Sequence, residues 1–273
     1  MATKRRWVKW AQIVLPIGLF FYLGIYLFLY SSKDQQTGRY RSTSLPDNFQ
    51  YSFSQSVEEL TIQTPQAGLL NALLFKIPNA KGVVCFWKGN GGTLANWGTM
   101  APTFLRFGYD VFMTDYRQHG KSQGAISLAN FYTDAQTVYD SLTYRYPPDK
   151  IVICGYSLGG RVAAHLAATN RPKFTLLIDP ASAGGDFSDR FTDLVYFPFP
   201  SVNGFVFPTE ADVQNAPRPV VVISTDNVNS TAYKLKDYLS AKDQFVALGG
   251  VTHETILTHP QTLQRIKRLL DNA

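Results

Sequence analysis

Short apolar runs alternate with longer amphipathic segments along most of this chain. Eight runs have the length of β-strands: residues 57–64, 69–77, 82–87, 109–114, 151–154, 174–178, 219–224 and 244–248. Between or after them lie segments with helical spacing: residues 95–107, 127–144, 158–169, 231–240 and 261–270. Strands that alternate with helices predict an α/β fold, with a mostly parallel eight-stranded sheet and helices on both faces. The first two runs are separated by PQAG, which predicts a hairpin and makes the sheet mixed.

The N-terminal part of the chain has a different pattern. Residues 11–30, AQIVLPIGLFFYLGIYLFLY, contain no charged side chain. At 1.5 Å per residue, a helix of this length is about 30 Å long, which is the thickness of the hydrocarbon core of a bilayer. A cleaved signal peptide is the alternative, but its apolar core is usually shorter and ends in small residues, whereas this run continues as SSKD. We therefore expect one transmembrane anchor over residues 11–30 that contacts the lipid bilayer.

The flanks of this segment predict the arrangement of the rest. Four basic residues within residues 1–10 form a basic flank, which favours a cytoplasmic N-terminus and an extracytoplasmic catalytic body. Residues 31–55 are polar and predict a stalk, and residues 56–273 form the α/β domain. Within it, residues 180–217 are rich in Phe and broken by Pro. This stretch predicts a short cap or an acyl-binding wall, and a packed loop and helix fits it equally well.

Composition excludes several classes of protein. The chain has 273 residues, of which 45% are hydrophobic, so it is long and apolar enough for one folded α/β domain. Its net charge is +6, but Lys4, Arg5, Arg6 and Lys9 supply four of these charges, so the body is not a nucleic-acid binder by charge. The two cysteines lie in apolar runs and predict buried thiols. We expect no metal and no cofactor, because no Cys/His cluster has ligand spacing.

One serine stands between two glycines in ICGYSLGGRVAAH, at the end of a predicted strand and before a predicted helix. In this context G-x-S-x-G is typical of a nucleophile elbow, because glycines on either side let a sharp turn expose the serine hydroxyl. An ordinary serine N-cap is the alternative. The strand before Ser157 and the alanine-rich helix after it favour the elbow.

A serine nucleophile needs a base, and the base needs an acid that orients it. His253 follows the last predicted strand by a short loop and is the candidate base. Asp226 follows the preceding strand and is the candidate acid, with Asp179, at the end of another strand, as the alternative. Asp226 is also compatible with a plain turn residue in STDN.

The negative oxygen of an acyl-transfer intermediate needs backbone N–H donors. Leu158, directly after the serine, is one candidate, and Asn90 in the glycine-rich KGNGG of residues 88–92 is the other. A phosphate-binding loop is the alternative for KGNGG, but no G-K-[ST] is present. A flexible turn is also compatible with it.

Three motifs together resemble the α/β-hydrolase family, closest to small membrane-anchored serine hydrolases of the serine aminopeptidase and monoacylglycerol-lipase type. GNGG at residues 89–92 is similar to the H-G-N-x-G oxyanion loop, DYRQHGKSQG at 115–124 to D-Y-R-G-x-G-x-S-x-G, and GYSLGG at 155–160 to the nucleophile elbow. Lys88 and Gln118 depart from the usual His and Gly.

The resemblance implies an α/β-hydrolase fold over about residues 57–270 and a Ser-His-Asp triad of Ser157, His253 and Asp226. It implies cleavage of an ester or thioester through an acyl-enzyme, and the apolar stretch at 180–217 points to a hydrophobic acyl group as substrate. Two alternatives stay open: a catalytically silent scaffold or binding protein with this fold, and a peptidase-type amidase.

Overall fold

The computed structural model describes residues 2–31, 40–181 and 207–272. The chain divides into two compact units, one of Met1–Arg39 with Gly185–Val206 and one of Tyr40–Gly184 with Phe207–Ala273. In the first unit the described residues form one helix, α1 (Ala2–Ser31). None of the helices in the described residues combines the length and the apolar character needed to cross a bilayer. The transmembrane helix predicted over residues 11–30 is therefore not supported by the structure.

The second unit is an α/β domain. Its strands are β1 (Thr43–Ser44), β2 (Val57–Thr64), β3 (Gly68–Phe75), β4 (Val83–Trp87), β5 (Asp110–Thr114), β6 (His119–Gly120), β7 (Ile151–Tyr156), β8 (Phe174–Ile178), β9 (Val220–Thr225) and β10 (Gln244–Leu248). Its helices are α2 (Leu94–Trp97), α3 (Pro102–Leu105), α4 (Leu128–Thr143), α5 (Leu158–Thr169), α6 (Thr209–Asn215), α7 (Thr231–Lys234) and α8 (Pro260–Asp271). Single 3₁₀ turns cover Gly98–Met100, Pro148–Lys150, Leu235–Tyr238 and Ile256–Thr258.

Eight strands form one sheet in the order β10-β9-β8-β7-β4-β5-β3-β2. β3 runs antiparallel to both of its neighbours, and all other pairs are parallel. The mostly parallel, eight-stranded α/β sheet predicted from the sequence is confirmed. β7 lies in the middle, so its carboxyl end is flanked by the ends of β4 and β8. This is the edge of a parallel sheet where ligand sites collect.

The core lies on both faces of the sheet, because side chains alternate along each strand. Val84 and Phe86 belong to one buried cluster, with Phe104 of α3 and Ile266 and Leu270 of α8. The alternate positions of β4, Val83, Cys85 and Trp87, are also buried. Helix α5 packs against β7 and β8. The two cysteines, Cys85 and Cys154, are buried free thiols as predicted.

Several predicted boundaries differ from the structure. The single helix expected over residues 95–107 is broken into α2, a 3₁₀ turn and α3, and Pro102, which has no N–H to donate, starts α3. The expected stalk of residues 31–55 belongs to the second unit from Tyr40 onward. Of the expected cap, residues 182–206 lie outside the described residues, and α6 covers part of the remainder.

Candidate active site

Ser157 lies on a strained turn between β7 and α5. Its backbone has φ 53° and ψ −118°, in the left-handed half of φ space that non-glycine residues rarely adopt. A Cβ on Gly155 would meet the carbonyl oxygen of Gly159 at 2.2 Å, and one on Gly159 would meet the Trp87 carbonyl at 2.0 Å. Both glycines are therefore required by close backbone contacts. This is the geometry expected of a nucleophile elbow.

Backbone hydrogen bonds hold the strained turn. The Ser157 N–H donates to the Ile178 carbonyl at 3.2 Å, which ties the turn to the end of β8. The Ser157 carbonyl accepts from the N–H groups of Gly160 at 2.9 Å and Ala181 at 3.0 Å. Such strain persists only where the surroundings over-determine it, and it is common at functional sites.

His253 bridges Ser157 and Asp179. Its Nε2 lies 3.0 Å from the Ser157 Oγ, and its Nδ1 lies 2.6 Å from an Asp179 carboxylate oxygen. Both distances are within hydrogen-bond range. The three side chains therefore have the arrangement of a nucleophile, a base and an orienting acid.

The acid predicted from the sequence is corrected by this geometry. The structure places Asp179, the alternative, against His253. Asp226 is exposed, and its backbone N–H donates to the Leu248 carbonyl at 3.1 Å. Within the described residues its carboxylate has no hydrogen bond to His253. The loop after β8 turns Asp179 towards His253, whereas Asp226 follows β9, the neighbour of β10.

Asp179 is held rigidly behind the histidine. It is buried, and its backbone has φ 39° in the turn after β8. Its N–H donates to the Ile223 carbonyl at 2.7 Å, and its Oδ1 faces the Ser224 hydroxyl and the Thr225 N–H at 3.4 Å each. These contacts aim the other carboxylate oxygen, Oδ2, at His253.

The carboxylate changes the acid–base behaviour of the imidazole. The hydrogen bond to Asp179 raises the pKa of His253 above its ordinary 6.5, and partial burial opposes this only in part. A more basic imidazole is better suited to accept a proton from a serine hydroxyl.

Tyr156 also holds His253, a contact that the sequence did not predict. The tyrosine precedes the nucleophile, and its hydroxyl donates to the His253 carbonyl at 2.6 Å. Its position inside the elbow motif was visible in the sequence, but the motif does not specify where that side chain points. Only the fold brings residue 253 over it.

The glycine loop, residues 88–92, follows β4. Its start lies beside the elbow, since Trp87 pairs with Gly155 and the Lys88 carbonyl oxygen lies 2.6 Å from where a Cβ of Gly159 would be. The structure therefore places the loop of Asn90 next to the turn of Ser157. Leu158 is the first residue of α5, where N–H groups have no partner within the helix.

Residues near the start of the second unit cover the outer side of the glycine loop. The Arg41 N–H donates to the Asn90 side-chain oxygen at 3.0 Å. β1 pairs with β6, and the Tyr40 hydroxyl donates to the Arg117 carbonyl at 2.7 Å. No periodic pattern in residues 40–44 predicted this.

An open cleft of about 490 Å³ adjoins the three side chains. It extends from Ser157 and His253 towards α7, where Asp226, Thr231 and Thr252 line its wall. This side of the cleft is polar. Within the described residues no group of three or more His, Cys, Asp or Glu side chains is placed to hold a metal ion.

Comparison with known proteins agrees with this geometry. Residues 82–176 match the family model of the alpha/beta hydrolase fold. Together with the sheet and the serine turn, this match shows that the chain has an α/β-hydrolase fold.

Two similar proteins are named as alpha/beta hydrolase domain-containing proteins. The chain is 33% identical over 126 residues to the alpha/beta hydrolase domain-containing protein WAV2 of Arabidopsis thaliana, covering 44% of this chain and 41% of that protein. It is 25% identical over 205 residues to the alpha/beta hydrolase domain-containing protein 17B of Xenopus tropicalis, covering 71% and 67%.

Solved structures agree on the fold. A Pyrococcus furiosus esterase superposes with a TM-score of 0.62 at 15% identity, covering 85% of this chain and 97% of the esterase. At this identity the likeness concerns the fold alone. The chain aligns with less than half of WAV2, so that protein's activity is not transferred as a whole.

Proposed function

We propose that this protein is a serine hydrolase that cleaves ester or thioester bonds through an acyl-enzyme. One observation carries the proposal: His253 lies within hydrogen-bond distance of both Ser157 and Asp179. The strained elbow and the glycine loop beside it support the same reading.

In the proposed mechanism, the Ser157 Oγ attacks the acyl carbonyl carbon while His253 Nε2 takes the hydroxyl proton. Asp179 fixes the imidazole with its proton on Nδ1 and stabilises the imidazolium that forms. The N–H groups of Asn90 and Leu158 are proposed to stabilise the negative oxygen. His253 returns the proton to the leaving alcohol or thiol. Water, deprotonated by the same histidine, then releases the acyl group from Ser157.

The experiment is labelling with a fluorophosphonate, which reacts with an activated serine. We expect wild type to be labelled, Ser157→Ala to be unlabelled and His253→Ala to be labelled far more slowly. His259→Ala is the matched control, since His259 holds the N-cap position of α8 and its Nδ1 has no hydrogen-bond partner within the described residues, and it should label like wild type. A folded wild type that stays unlabelled would favour the silent scaffold instead.

The substrate class is a finer proposal. The Phe- and Pro-rich sequence of residues 180–217 supports a hydrophobic acyl group, and the polar wall near Asp226 supports a polar leaving group. A panel of esters, thioesters and amides with different acyl chain lengths tests this. Faster turnover of amides than of esters would favour the amidase.

Membrane attachment is proposed separately, on the uncharged sequence of residues 11–30 and on exposed apolar side chains of α1 such as Leu15, Phe20 and Phe28. The basic flank supports a cytoplasmic N-terminus and an extracytoplasmic body. Alkaline carbonate extraction of membranes, followed by protease accessibility of the body, tests both points. Release of the full chain by carbonate would contradict the anchor.

A further inference from the structure

Lys88 begins the glycine loop, and its side chain is buried. Only 1% of the side chain is exposed, although a lysine is almost never buried without partners. It stands where the resembling motif has histidine. The buried ammonium is therefore a feature of this chain that the proposed triad chemistry does not explain.

Three acceptors surround the Lys88 Nζ. It lies 3.0 Å from the Gly92 carbonyl oxygen, 2.5 Å from His119 Nδ1 and 3.5 Å from a carboxylate oxygen of Asp115. An ammonium has three N–H donors and no acceptor, so these partners match a protonated lysine in number and type. A ring nitrogen that accepts from an ammonium belongs to a neutral histidine with its proton on Nε2.

The contact with Gly92 closes the loop on itself. Lys88 is its first residue and Gly92 its last, so the side chain ties the two ends together. Gly91 and Gly92 have φ of 104° and 66°, and glycines alone give such a loop little stiffness of its own. The indole N–H of Trp97 fixes the loop at a second point, by donating to the Gly91 carbonyl at 2.9 Å.

The partners of Lys88 are themselves anchored. The other carboxylate oxygen of Asp115 accepts from the Leu94 N–H at 3.0 Å, at the start of α2 just after the loop. The Tyr116 hydroxyl donates to the Lys88 carbonyl at 2.6 Å. The ammonium thus connects the loop to a rigid part of the sheet edge.

We propose that Lys88 is a positioning residue, whose protonated amine holds the glycine loop so that its N–H groups face the negative oxygen of the intermediate. This rests on the proposed hydrolase function, because the loop matters for rate only if an oxyanion forms beside it. A loop misplaced by a fraction of an ångström binds the transition state less well and the ground state about equally well.

The proposal has a pH signature. Burial lowers the pKa of Lys88 to about 8, opposed by Asp115, whose own pKa burial raises to about 6. Burial and the lysine charge lower the pKa of His119 to about 3. Burial also raises the pKa values of Tyr116 and Tyr40, which contact this cluster, well above 10. Lys88 is therefore the group that loses its proton above about pH 8.

The experiment compares Lys88→Met, Lys88→Arg and the double variant Lys88→Met/Asp115→Asn in the full chain. Lys76→Met is the control, since Lys76 is an exposed lysine paired with Glu58. The readouts are kcat and KM for p-nitrophenyl butyrate, and the inhibition constant of a trifluoromethyl ketone, which binds serine hydrolases as an oxyanion adduct.

We expect Lys88→Met to lower kcat about tenfold to a hundredfold, somewhat less than loss of an oxyanion donor outright. KM should stay within about threefold, and inhibition by the ketone should weaken in parallel with kcat. Lys88→Arg should recover part of the rate. The pH above which the activity of Lys88→Arg declines should be higher than the wild-type value near 8, because arginine keeps its proton.

The outcomes separate the two proposals. A wild type that neither turns over ester nor labels at Ser157 overturns the hydrolase function, and this inference with it. An active wild type with a folded Lys88→Met of unchanged kcat overturns this inference alone. If Lys88→Met does not fold because Asp115 is left unpaired, the double variant provides the same comparison. If that fails too, an alkaline limb that does not move in Lys88→Arg overturns the inference.

Discussion

The ring of Tyr156 stacks on the imidazole of His253, with the ring centroids 5.0 Å apart and the planes 21° from parallel. With the hydrogen bond from its hydroxyl to the His253 carbonyl, the tyrosine contacts both the ring and the backbone of the proposed base. Tyr156 therefore fixes the position of His253, the proposed base.

This relationship predicts separable effects of two substitutions. Tyr156→Phe keeps the ring and removes one hydrogen bond, so we expect kcat to fall by only about threefold to tenfold and stability by about 1 kcal/mol. Tyr156→Leu also removes the stacked ring and should lower kcat further with little change in KM. Steady-state kinetics and thermal denaturation measure both. Equal rates for wild type and Tyr156→Leu would show that the contact does not position His253.

The acid of the proposed triad can be identified by exchanging one oxygen for nitrogen at two positions. Asp179→Asn removes the carboxylate that orients His253, and we expect kcat to fall by about 10³-fold or more. Asp226→Asn is the matched control: it lines the same cleft, and its carboxylate has no bond to the histidine within the described residues, so kcat should change less than threefold. The reverse ranking would restore Asp226 as the acid.

These two aspartates also illustrate how far the sequence could predict the site. The elbow is a local signal, because strand, glycines and helix are consecutive, and Ser157 was predicted from them. The acid is not local. Asp179 and Asp226 both follow strands and are equivalent in sequence terms. The choice depends on which of the two loops turns its carboxylate to His253 and on the φ of 39° at Asp179, which no pattern of residue types encodes.

The difference between local signals and contacts made only in the fold also explains which strands could be predicted. Residues 57–64, 174–178 and 244–248 were predicted with the bounds the structure has, because each run is short, apolar or alternating and ends at turn residues. The Lys88 cluster and the covering of Asn90 by Arg41 were not predicted. Both join segments far apart in the chain through contacts that leave no period in the sequence.

The pKa of His253 predicts how rate depends on pH. The base works only when neutral, so kcat/KM should fall as the pH drops through a value above 6.5, since Asp179 raises this pKa. In Asp179→Asn the fall of kcat/KM should occur at lower pH, because the carboxylate that raises the pKa of His253 is gone. If the fall of kcat/KM occurs at the same pH in that variant, a group other than His253 causes it.

The raised pKa of His253 affects folding stability in the opposite direction, because it favours the folded state at low pH rather than at high pH. A raised pKa means that the folded state holds the proton more tightly than the unfolded state. The His253–Asp179 bond therefore stabilises the fold fully below about pH 6.5 and loses this effect as the pH rises through the folded-state pKa. Denaturation midpoints of wild type and Asp179→Asn should therefore differ more at pH 6 than at pH 9.

At Gly159 the elbow leaves no room for a side chain. In Gly159→Ala the new methyl would lie 2.0 Å from the Trp87 carbonyl oxygen, which is backbone and cannot swing away. We expect a loss of about 3 kcal/mol or more in the free energy of unfolding, and loss of labelling at Ser157. Gly250→Ala is the control, because Gly250 has φ 73° but no atom within 4 Å of the new methyl, and it should cost only about 1 kcal/mol. Denaturant titration compares the two, and equal losses would refute the steric argument.

Arg117 and Asp134 form a buried pair that predicts a large stability effect away from the chemistry. Two guanidinium nitrogens each lie 2.8 Å from a different carboxylate oxygen, and the side chains are 2% and 8% exposed. The guanidinium also donates to the Pro65 carbonyl at 2.6 Å, which fastens the β2–β3 turn to α4.

Removing one partner leaves the other charge buried and unpaired, so Arg117→Met and Asp134→Asn should each lower the free energy of unfolding by about 3–5 kcal/mol. The double variant Arg117→Met/Asp134→Leu should cost less than the sum of both. Arg145→Met removes an exposed pair with Glu58, at 42% and 37% side-chain exposure, and should cost no more than about 1 kcal/mol. Urea denaturation of the four variants measures this. If the buried and the exposed variants lose equal stability, then burial does not decide the strength of these ion pairs.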